Sequence, residues 1–255
     1  MSDIENTDSW DGPVIEISNV YKSFGDNNVL VDFSLTVNKG ENVVVLGKSG
    51  SGKSVLIKCV VGLLEQDKGS IKILGKEISE LDNNNLDRVR AKVGFLFQNS
   101  ALYDSMTVRE NLEFPMRRHW FNMDKNETDT LVEESLDNVG LLNSIDKMPA
   151  DLSGGMRKRI GLARTLILKP EIVLYDEPTT GLDPITGREI VELMMDLQKK
   201  YNTTSIIISH DLHVAKTTAN KIVLLVDGKN YAEGTFDELK KITDPKVKQF
   251  FETIA

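Results

Sequence analysis

The stretch VVVLGKSGSGKS, residues 43–54, decides the fold of this 255-residue chain. Its four leading apolar residues indicate a strand buried on both faces, and the apolar run at 55–64 is long enough for a helix. The three intervening glycines allow the backbone to curl so that N–H groups point at phosphate oxygens. Because strand, glycine-rich turn and helix together match G-x-x-x-x-G-K-[ST], the stretch predicts a nucleotide site.

The chemistry of this loop assigns a role to each end of it. Lys53 is expected to reach the β- and γ-phosphates and to act in catalysis, and the Ser54 hydroxyl to ligate Mg²⁺. An ordinary glycine-rich turn is the alternative, and the flanking strand and helix disfavour it. The residues predicted to contact the nucleotide here are Gly47, Lys48, Ser49, Gly50, Ser51, Gly52, Lys53, Ser54 and Val55.

Composition narrows the class of protein. Apolar residues make up 40% and charged residues 27% of the chain, as in soluble globular proteins. The net charge is −8 and no basic run stands out, which argues against nucleic acid as the main partner. The polar start of the chain does not resemble a secretory signal, and no apolar run approaches the ~20 residues of a membrane span. The single cysteine, Cys59, is expected in the core of a cytosolic protein.

The rest of the chain predicts an α/β fold with a parallel sheet. Residues 14–18 and 34–37 alternate as half-buried strands around a turn at 25–28, which indicates a β layer before the loop. Further strands are predicted, separated by helices, at 70–74, 93–97, 172–175, 205–208 and 222–226. Residues 99–165 carry helical signals, including capping-box spacings that begin at Thr107 and Asp124. We therefore predict one domain, 13–255, in which a helical lobe at 99–165 interrupts a core made of 13–98 and 166–255.

Polar residues follow three of the predicted strands. Asp176 and Glu177 come after one strand, where the Asp would hold Mg²⁺ and the Glu would orient or deprotonate the attacking water. Two solvated acids are the alternative. Gln98, as a contact to Mg²⁺ or water, and His210, as a hydrogen-bond partner of the γ-phosphate or the water, follow two other strands. The carboxyl ends of parallel strands meet at one edge of a sheet, so we expect these residues to converge.

Two other features suggest nucleotide contacts. Ser153 is predicted to cap a helix, and Gly154 and Gly155 would let a phosphate approach its N–H groups. This helix start has no obvious role in its own subunit, unless it contacts the γ-phosphate on another molecule. In the β layer, Phe24 is favoured over Tyr21 to stack on adenine, with core packing as the open alternative.

These motifs, in this order, resemble those of the ATPase subunits of ABC transporters over nearly the whole chain. The matching segments are residues 47–54 (Walker A), Gln98 (Q-loop), 152–156 (LSGGQ-type signature), 172–177 (Walker B), 180–183 with Asp183 (D-loop), His210 (switch histidine) and Phe24 (adenine-stacking aromatic). The resemblance implies a P-loop NTPase (RecA-like) core with an antiparallel β layer and an inserted α-helical subdomain. It also implies catalytic roles for Lys53, Glu177 and His210.

The same resemblance implies partners. Two copies would form a head-to-tail homodimer with two ATP molecules, each between one subunit's Walker A and the other's signature. Ser153, Gly154, Gly155 and Asp183 would then contact nucleotide. Integral membrane permease subunits would dock on residues 99–115, where we expect Leu102, Tyr103 and Phe114 to line the contact. The alternative is that the apolar residues of this segment, Leu102, Met106, Val108 and Leu112, pack inside the helical lobe.

A narrower resemblance is to the Mla/Mce-type lipid transporters. It rests on the stretch GFLFQNSALYDSMTV at 94–108, on Met156, on DPIT at 183–186 and on the ending around Asp244. It implies phospholipid transport between bacterial membranes, with the chain peripheral on the cytoplasmic face of the inner membrane. A lipid-binding substrate protein and a small regulatory subunit would be further partners.

Two other functions are alternatives that the sequence disfavours. A soluble ABC-type ATPase of translation or DNA repair usually has two cassettes or a long coiled-coil insertion, and this sequence shows neither. A small-molecule kinase would leave the motif at 152–156 and the D-loop without a purpose.

Overall fold

The computed structural model describes residues 10–118 and 123–252. The strands are β1 (Ile15–Phe24), β2 (Asn27–Val37), β3 (Asn42–Leu46), β4 (Lys68–Ile73), β5 (Lys76–Glu77), β6 (Val93–Leu96), β7 (Ile172–Asp176), β8 (Thr204–Ser209), β9 (Lys221–Val226) and β10 (Lys229–Gly234). The helices are α1 (Lys53–Val60), α2 (Asn83–Ala91), α3 (Val108–Arg118), α4 (Lys125–Asp137), α5 (Gly154–Leu166), α6 (Pro184–Tyr201), α7 (Leu212–Thr218), α8 (Phe236–Lys240) and α9 (Pro245–Phe251).

The central sheet has the strand order β10-β9-β3-β8-β7-β6. Neighbouring strands from β9 to β6 pair in parallel, and β10 adds an antiparallel edge. Every residue of β3, β7 and β8 is buried, as the continuous apolar runs predict. The parallel pairing brings the carboxyl ends of β3, β6, β7 and β8 to one edge, where the predicted site residues follow them.

The antiparallel layer has the order β2-β1-β4-β5, which confirms the layer predicted before the phosphate loop. Strands β4 and β5, which follow the loop, also belong to it. Strand β1 extends to Phe24, well beyond the predicted end at residue 18. The register shifts after Ile17, and Asn19 has a left-handed φ of 49°. Asn19 is held there by bonds to Ser34 and Asp32. This bulge breaks the apolar alternation on which the shorter prediction depended.

Helix α1 ends earlier than the apolar run at 55–64 predicts. It ends at Val60, and Gly62 follows with a left-handed φ of 66°. The N–H of Gly62 bonds to the carbonyl of Cys59, and the N–H of Leu63 bonds to the carbonyl of Lys58. A glycine in this conformation is a common helix C-terminus, so Gly62 ends the helix before the apolar run is complete.

The two faces of the central sheet pack into separate apolar clusters. Val43 and Val45 of β3 face α1 and the antiparallel layer. Val44 and Leu46 face the cluster built by α3–α6. Cys59 lies in the first cluster, where burial raises the pKa of its thiol to about 11, so it is the core thiol that the sequence predicts.

The described part of the lobe, 99–118 and 123–165, has helices and no strand, as predicted. Thr107 and Glu110 exchange the hydrogen bonds of a capping box at the start of α3, and Asp124 and Glu127 do the same at α4. Helix α5 continues to Leu166, across the predicted boundary at 165, and its buried side chains share a cluster with the sheet. The division into core and helical subdomain stays a prediction.

Candidate nucleotide site

The phosphate loop joins β3 to α1 by a turn that requires glycine. Gly50 and Gly52 have left-handed φ values of 78° and 99°. A Cβ on Gly52 would lie 2.8 Å from the Cγ1 of Val29 in β2, so the close approach also excludes a side chain. Lys53 is buried, and its Nζ donates to the carbonyls of Gly47 at 2.8 Å and Lys48 at 3.0 Å. The lysine therefore folds back along its own loop.

The loop has the donors that a phosphate needs. The hydroxyl of Ser51 is buried and has no hydrogen-bond partner within the described part of the chain. Three loop residues shortly before the start of α1 are exposed, namely Lys48, Ser49 and Gly50. A buried hydroxyl without a partner is costly, and an anion at this helix start would accept a hydrogen bond from it. The residues present thus fit a nucleotide phosphate.

Ser54 and Asp176 lie together beside this loop. The Ser54 Oγ donates to Asp176 Oδ1 at 3.1 Å, and Asp176 is 5% exposed. Burial raises the pKa of Asp176, and the bond from Ser54 acts against that rise. A hydroxyl and a buried carboxylate are oxygen ligands of the kind that Mg²⁺ binds, and a cation would offset the cost of burying the charge. Both residues therefore fit the predicted metal site.

Glu177 is the most constrained side chain of the site. Its φ of 50° is left-handed, and its N–H bonds to the carbonyl of Ile208 at 3.0 Å. Its Oε1 lies 3.5 Å from the Lys53 ammonium, and its Oε2 lies 2.8 Å from His210 Nδ1. Thr180 also donates to Oε2, at 3.2 Å. A non-glycine residue in this conformation costs about 1–3 kcal/mol and persists only where its surroundings hold it, as these contacts do.

Three of the four residues predicted at the strand ends are brought together. Asp176 and Glu177 at the end of β7 meet His210 after β8, while Lys53 joins them from α1. Gln98 is placed differently: its carbonyl accepts a bond of 2.5 Å from Lys158, and its side chain is exposed. The nucleotide contacts and catalytic roles of these residues stay predictions.

Sequence reasoning missed two residues here. Lys158 is 3% exposed, and burial lowers the pKa of its ammonium to about 8 against the opposing effect of Asp176 and Glu177. In the sequence it is one of three consecutive basic residues at a helix start, which are usually solvated. In the sequence Thr180 stands out only as part of the D-loop. Its bond to Glu177 depends on the turn that starts at Glu177, whose own φ is left-handed.

The signature-type motif lies at the start of α5. Ser153 is the N-cap, accepting from the N–H of Met156 at 3.2 Å, and both Ser153 and Gly154 are exposed. A Cβ on Gly155 would lie 2.8 Å from the Cγ2 of Thr186 in α6. Asp183 caps α6 through bonds from the N–H groups at 185 and 186. The contacts of these residues with nucleotide stay predictions.

Comparison with known proteins identifies the family. A family model described as ABC transporter matches residues 30–180. The chain belongs to this family. The dimeric structure of MJ0796, a bacterial ABC transporter cassette, has a TM-score of 0.80 and 32% identity, covering 87% of this chain and 98% of that one. The dimeric post-hydrolysis structure of the same cassette bound to ADP and Pi gives 0.79 and 31%, with the same coverage.

Three further relatives of this ABC protein are similar to it in sequence. A probable ribonucleotide transport ATP-binding protein mkl of Mycobacterium bovis is 39% identical over 94% of this chain and 66% of its own length. The intermembrane phospholipid transport system ATP-binding protein MlaF of Haemophilus influenzae is 36% identical over 94% of this chain and 90% of its own. The methionine import ATP-binding protein MetN of Clostridium tetani is 36% identical over 94% and 74%.

These matches confirm the predicted ABC ATPase family, with an Mla-type protein among its relatives, and the P-loop fold. This chain spans 66% of the length of the Mycobacterium bovis mkl protein, slightly less than two thirds. The relatives carry three different transport names, so the transported substrate belongs to the proposals below. No helix within residues 10–118 and 123–252 is both long and apolar enough to cross a membrane.

The predicted adenine-stacking aromatic of the ABC fold is accessible. Phe24 is 48% exposed at the end of β1, so core packing, the alternative, is wrong for it. The Lys22 ammonium lies 5.6 Å from its ring centroid and is fixed there by Asp67. Tyr21 is half-buried, with Lys68 6.0 Å from its ring. Stacking on adenine stays a prediction for Phe24.

A groove of about 250 Å³ lies beside β6 and α3, which we call the docking groove. Tyr103 and Phe114 line it with their rings 4.6 Å apart, and Arg164 lies 5.9 Å from the Tyr103 ring. Leu102 does not line it; this side chain is half-buried and packs against the apolar cluster of the helices. This packing favours the alternative that Leu102 lies inside the helical lobe, and a contact between Leu102 and a permease stays a prediction.

Proposed function

We propose that this chain is the ATP-hydrolysing subunit of a bacterial transporter that moves phospholipid between membranes. The observation that carries the proposal is the Glu177 carboxylate, which lies between the phosphate-loop lysine and His210. A carboxylate held beside both groups can orient a water molecule for attack on a γ-phosphate and take its proton.

Each residue of the site has a distinct task in this reaction. The loop at 47–55 binds the phosphates, and Lys53 neutralises charge that develops on the γ-phosphate. Glu177 orients and deprotonates the water, and His210 and Thr180 hold one oxygen of that carboxylate. Ser54 and Asp176 would hold Mg²⁺, which when bound neutralises phosphate charge, and Gln98 is proposed as a further contact. The strained backbone of Glu177 keeps its side chain in place before the substrate arrives.

Two copies are proposed to act together. Ser153 and Gly154 are exposed at the N-terminus of α5, and the first turn of this helix has no acidic residue. In a head-to-tail dimer this helix start would meet the ATP held by the partner's phosphate loop. The cassette of similar structure described above is dimeric, which supports this arrangement.

The docking groove is proposed to receive integral membrane permease subunits, within the predicted contact at 99–115. Tyr103 is 42% exposed there, an unusual position for a large aromatic that serves only its own chain. The segment that joins Gln98 to α3 forms one wall, so a partner in the groove lies next to the nucleotide-sensing loop. The chain would then be peripheral to the inner membrane, on its cytoplasmic face.

Phospholipid is the proposed cargo. Support comes from the intermembrane phospholipid transport protein MlaF, which aligns over 90% of its length, and from the Mla/Mce-type stretch at 94–108. A lipid-binding substrate protein and a small regulatory subunit are proposed as further partners, and nucleic acid is not. Methionine or ribonucleotide transport, after the MetN and mkl relatives, is the competing assignment for cargo.

The test is purification of the tagged chain from native membranes in mild detergent. We expect a multi-span permease and a lipid-binding protein to co-purify, and extracted phospholipid to exceed that of a tag-only control. A permease found with an amino-acid-binding protein would overturn the lipid assignment alone. Recovery with ribosomes or DNA repair factors and no membrane protein would favour a soluble ABC-type ATPase and overturn the transporter assignment.

A further inference from the structure

Lys158 occupies an unusual place on helix α5. It lies five residues after Ser153, is 3% exposed, and donates from Nζ to the carbonyl of Gln98 at 2.5 Å. The basic residues on either side of it behave differently. Arg157 is exposed, and Arg159 pairs with Glu189 of α6 at 3.1 Å. Lys158 alone of the three faces the loop that follows β6.

The negative charges that act on Lys158 belong to the two acidic residues of the nucleotide site. Asp176 and Glu177, at the end of β7, are the groups whose charge favours its protonated form. A buried ammonium is costly unless opposite charge and hydrogen-bond acceptors surround it. The two Walker B carboxylates and the Gln98 carbonyl therefore offset part of the cost of burying Lys158, whose pKa is still lowered to about 8.

The loop after Gln98 is pressed against the same helix. A Cβ on Gly161 would lie 2.9 Å from the Cβ of Ser100, closer than ordinary contacts allow. Ser100 and Ala101 both have left-handed φ values, 59° and 47°, and Arg164 of α5 donates to both of their carbonyls. This backbone is strained and is held by α5, with Lys158 fixing its first residue.

We propose that Lys158 is a positioning residue for ATP hydrolysis, which fixes the main chain of Gln98 on the signature helix beside Asp176 and Glu177. The proposal rests on the roles given above to Gln98 and to the two carboxylates. Lys158 acts through Gln98 and does not touch the reacting atoms. Because the same helix begins at Ser153, the residue ties the Q-loop of one site to the signature presented to the other.

The experiment compares steady-state ATP hydrolysis by the full chain, in its purified complex, for Lys158→Met, Lys158→Arg and Arg159→Met. We expect Lys158→Met to lower kcat by about tenfold or more, because a small misplacement of a positioning group has effects of this size. KM for ATP should change less than about threefold, since the phosphate loop is intact. Lys158→Arg, which keeps a cationic donor, should recover most of kcat.

Arg159→Met is the matched control, because it removes a cation from the same helix on the side that faces Glu189. It is expected to change Tm while leaving kcat near the wild-type value. Equal kcat losses in Lys158→Met and Arg159→Met would reduce Lys158 to a structural role and overturn the proposal. If Lys158→Met does not fold, Lys158→Gln, a neutral polar residue, provides the same comparison.

A double-mutant cycle tests the route. If Lys158 acts through Gln98, the loss from Lys158→Met should be much smaller in a Gln98→Ala background. Additive losses would overturn the route through Gln98. Glu177→Gln in the same assay separates the two proposals: normal turnover in that variant would overturn the assigned base, whereas normal turnover in Lys158→Met would overturn only this inference.

Discussion

Ser54 and Asp176, 122 positions apart in the sequence, are joined by a hydrogen bond of 3.1 Å from hydroxyl to carboxylate. The bond links the first turn of α1 to the end of β7. It places two oxygen atoms next to each other at the end of the phosphate loop. The arrangement accounts for a buried carboxylate at the edge of the sheet and leads to the first prediction.

Ser54→Ala should weaken the dependence of ATP binding on Mg²⁺. Loss of one oxygen ligand is expected to reduce the gain in affinity from Mg²⁺ on the order of tenfold. Ser54→Thr keeps the hydroxyl and should retain the gain. Titration with a fluorescent ATP analogue, with Mg²⁺ and with a chelator, measures it, and an undiminished gain in Ser54→Ala would contradict the metal assignment.

Glu177→Gln should retain ATP binding and lose turnover on the order of 10²-fold or more, since an amide cannot accept the proton of water. Glu171→Gln is the control, because Glu171 precedes the same strand at its opposite end and is exposed. Lys53→Ala should differ from both by weakening binding as well as turnover. Phosphate release and nucleotide binding, measured on each variant, check these outcomes; wild-type turnover in Glu177→Gln would rule it out as the base.

ATP should drive dimerisation of Glu177→Gln, and the added change Ser153→Arg should abolish it. The arginine places bulk and charge at the exposed start of α5, where the partner's ATP is proposed to bind. Thr130→Arg, on the exposed face of α4, controls for added charge. Sedimentation with and without ATP distinguishes the species, and a dimer that survives Ser153→Arg would contradict the arrangement across two subunits.

Tyr103→Glu should break association with the membrane partner while leaving Tm and nucleotide binding near wild type. Leu102→Glu should do the reverse and lower Tm, because Leu102 packs against the apolar cluster and a charge there would be desolvated. Melting temperature and co-purification are measured on both variants. If Tyr103→Glu melts early and binds the partner normally per folded molecule, the docking groove is not the contact.

Asp67→Asn should lower Tm at neutral pH, by an amount that shrinks in acid. Hydrogen bonds from Lys22 and from Ser23 lower the pKa of Asp67 from 3.8 to about 2. The depressed pKa means that this stabilisation is present above pH 3.8 and is lost as pH falls through about 2. Thermal unfolding of both proteins from pH 7 down to acid checks it, and a constant difference in Tm would contradict the assignment.

Sequence alone predicted the elements that local pattern determines. The phosphate loop, Asp176 and Glu177 were recognisable because each follows a continuous apolar strand, and Ser153 because a cap precedes its helix. The capping boxes of α3 and α4 were predicted from spacing alone and are confirmed. Each of these features depends on residues that are close along the chain.

The features that were missed depend on distant contacts. The burial of Lys158 results from the way α5 packs on the loop after β6. Leu102 packs against the apolar cluster to which α5 also contributes. The bulge at Asn19 is fixed by Ser34 and Asp32 of the neighbouring strand. Spacing along the chain carries no record of such neighbours, which is why pattern analysis gave no role to Lys158 and left two alternatives open for Leu102.

The lack of space at Gly161 has a consequence for the length of α5. Between this glycine, which cannot accept a Cβ next to Ser100, and the cap at Ser153, the helix is a fixed spacer. One residue inserted between 153 and 158 would turn the capped end by about 100° relative to Lys158. The signature and the Q-loop would then point in incompatible directions although every individual motif remained intact. In this segment the number of residues is therefore constrained as well as their identity.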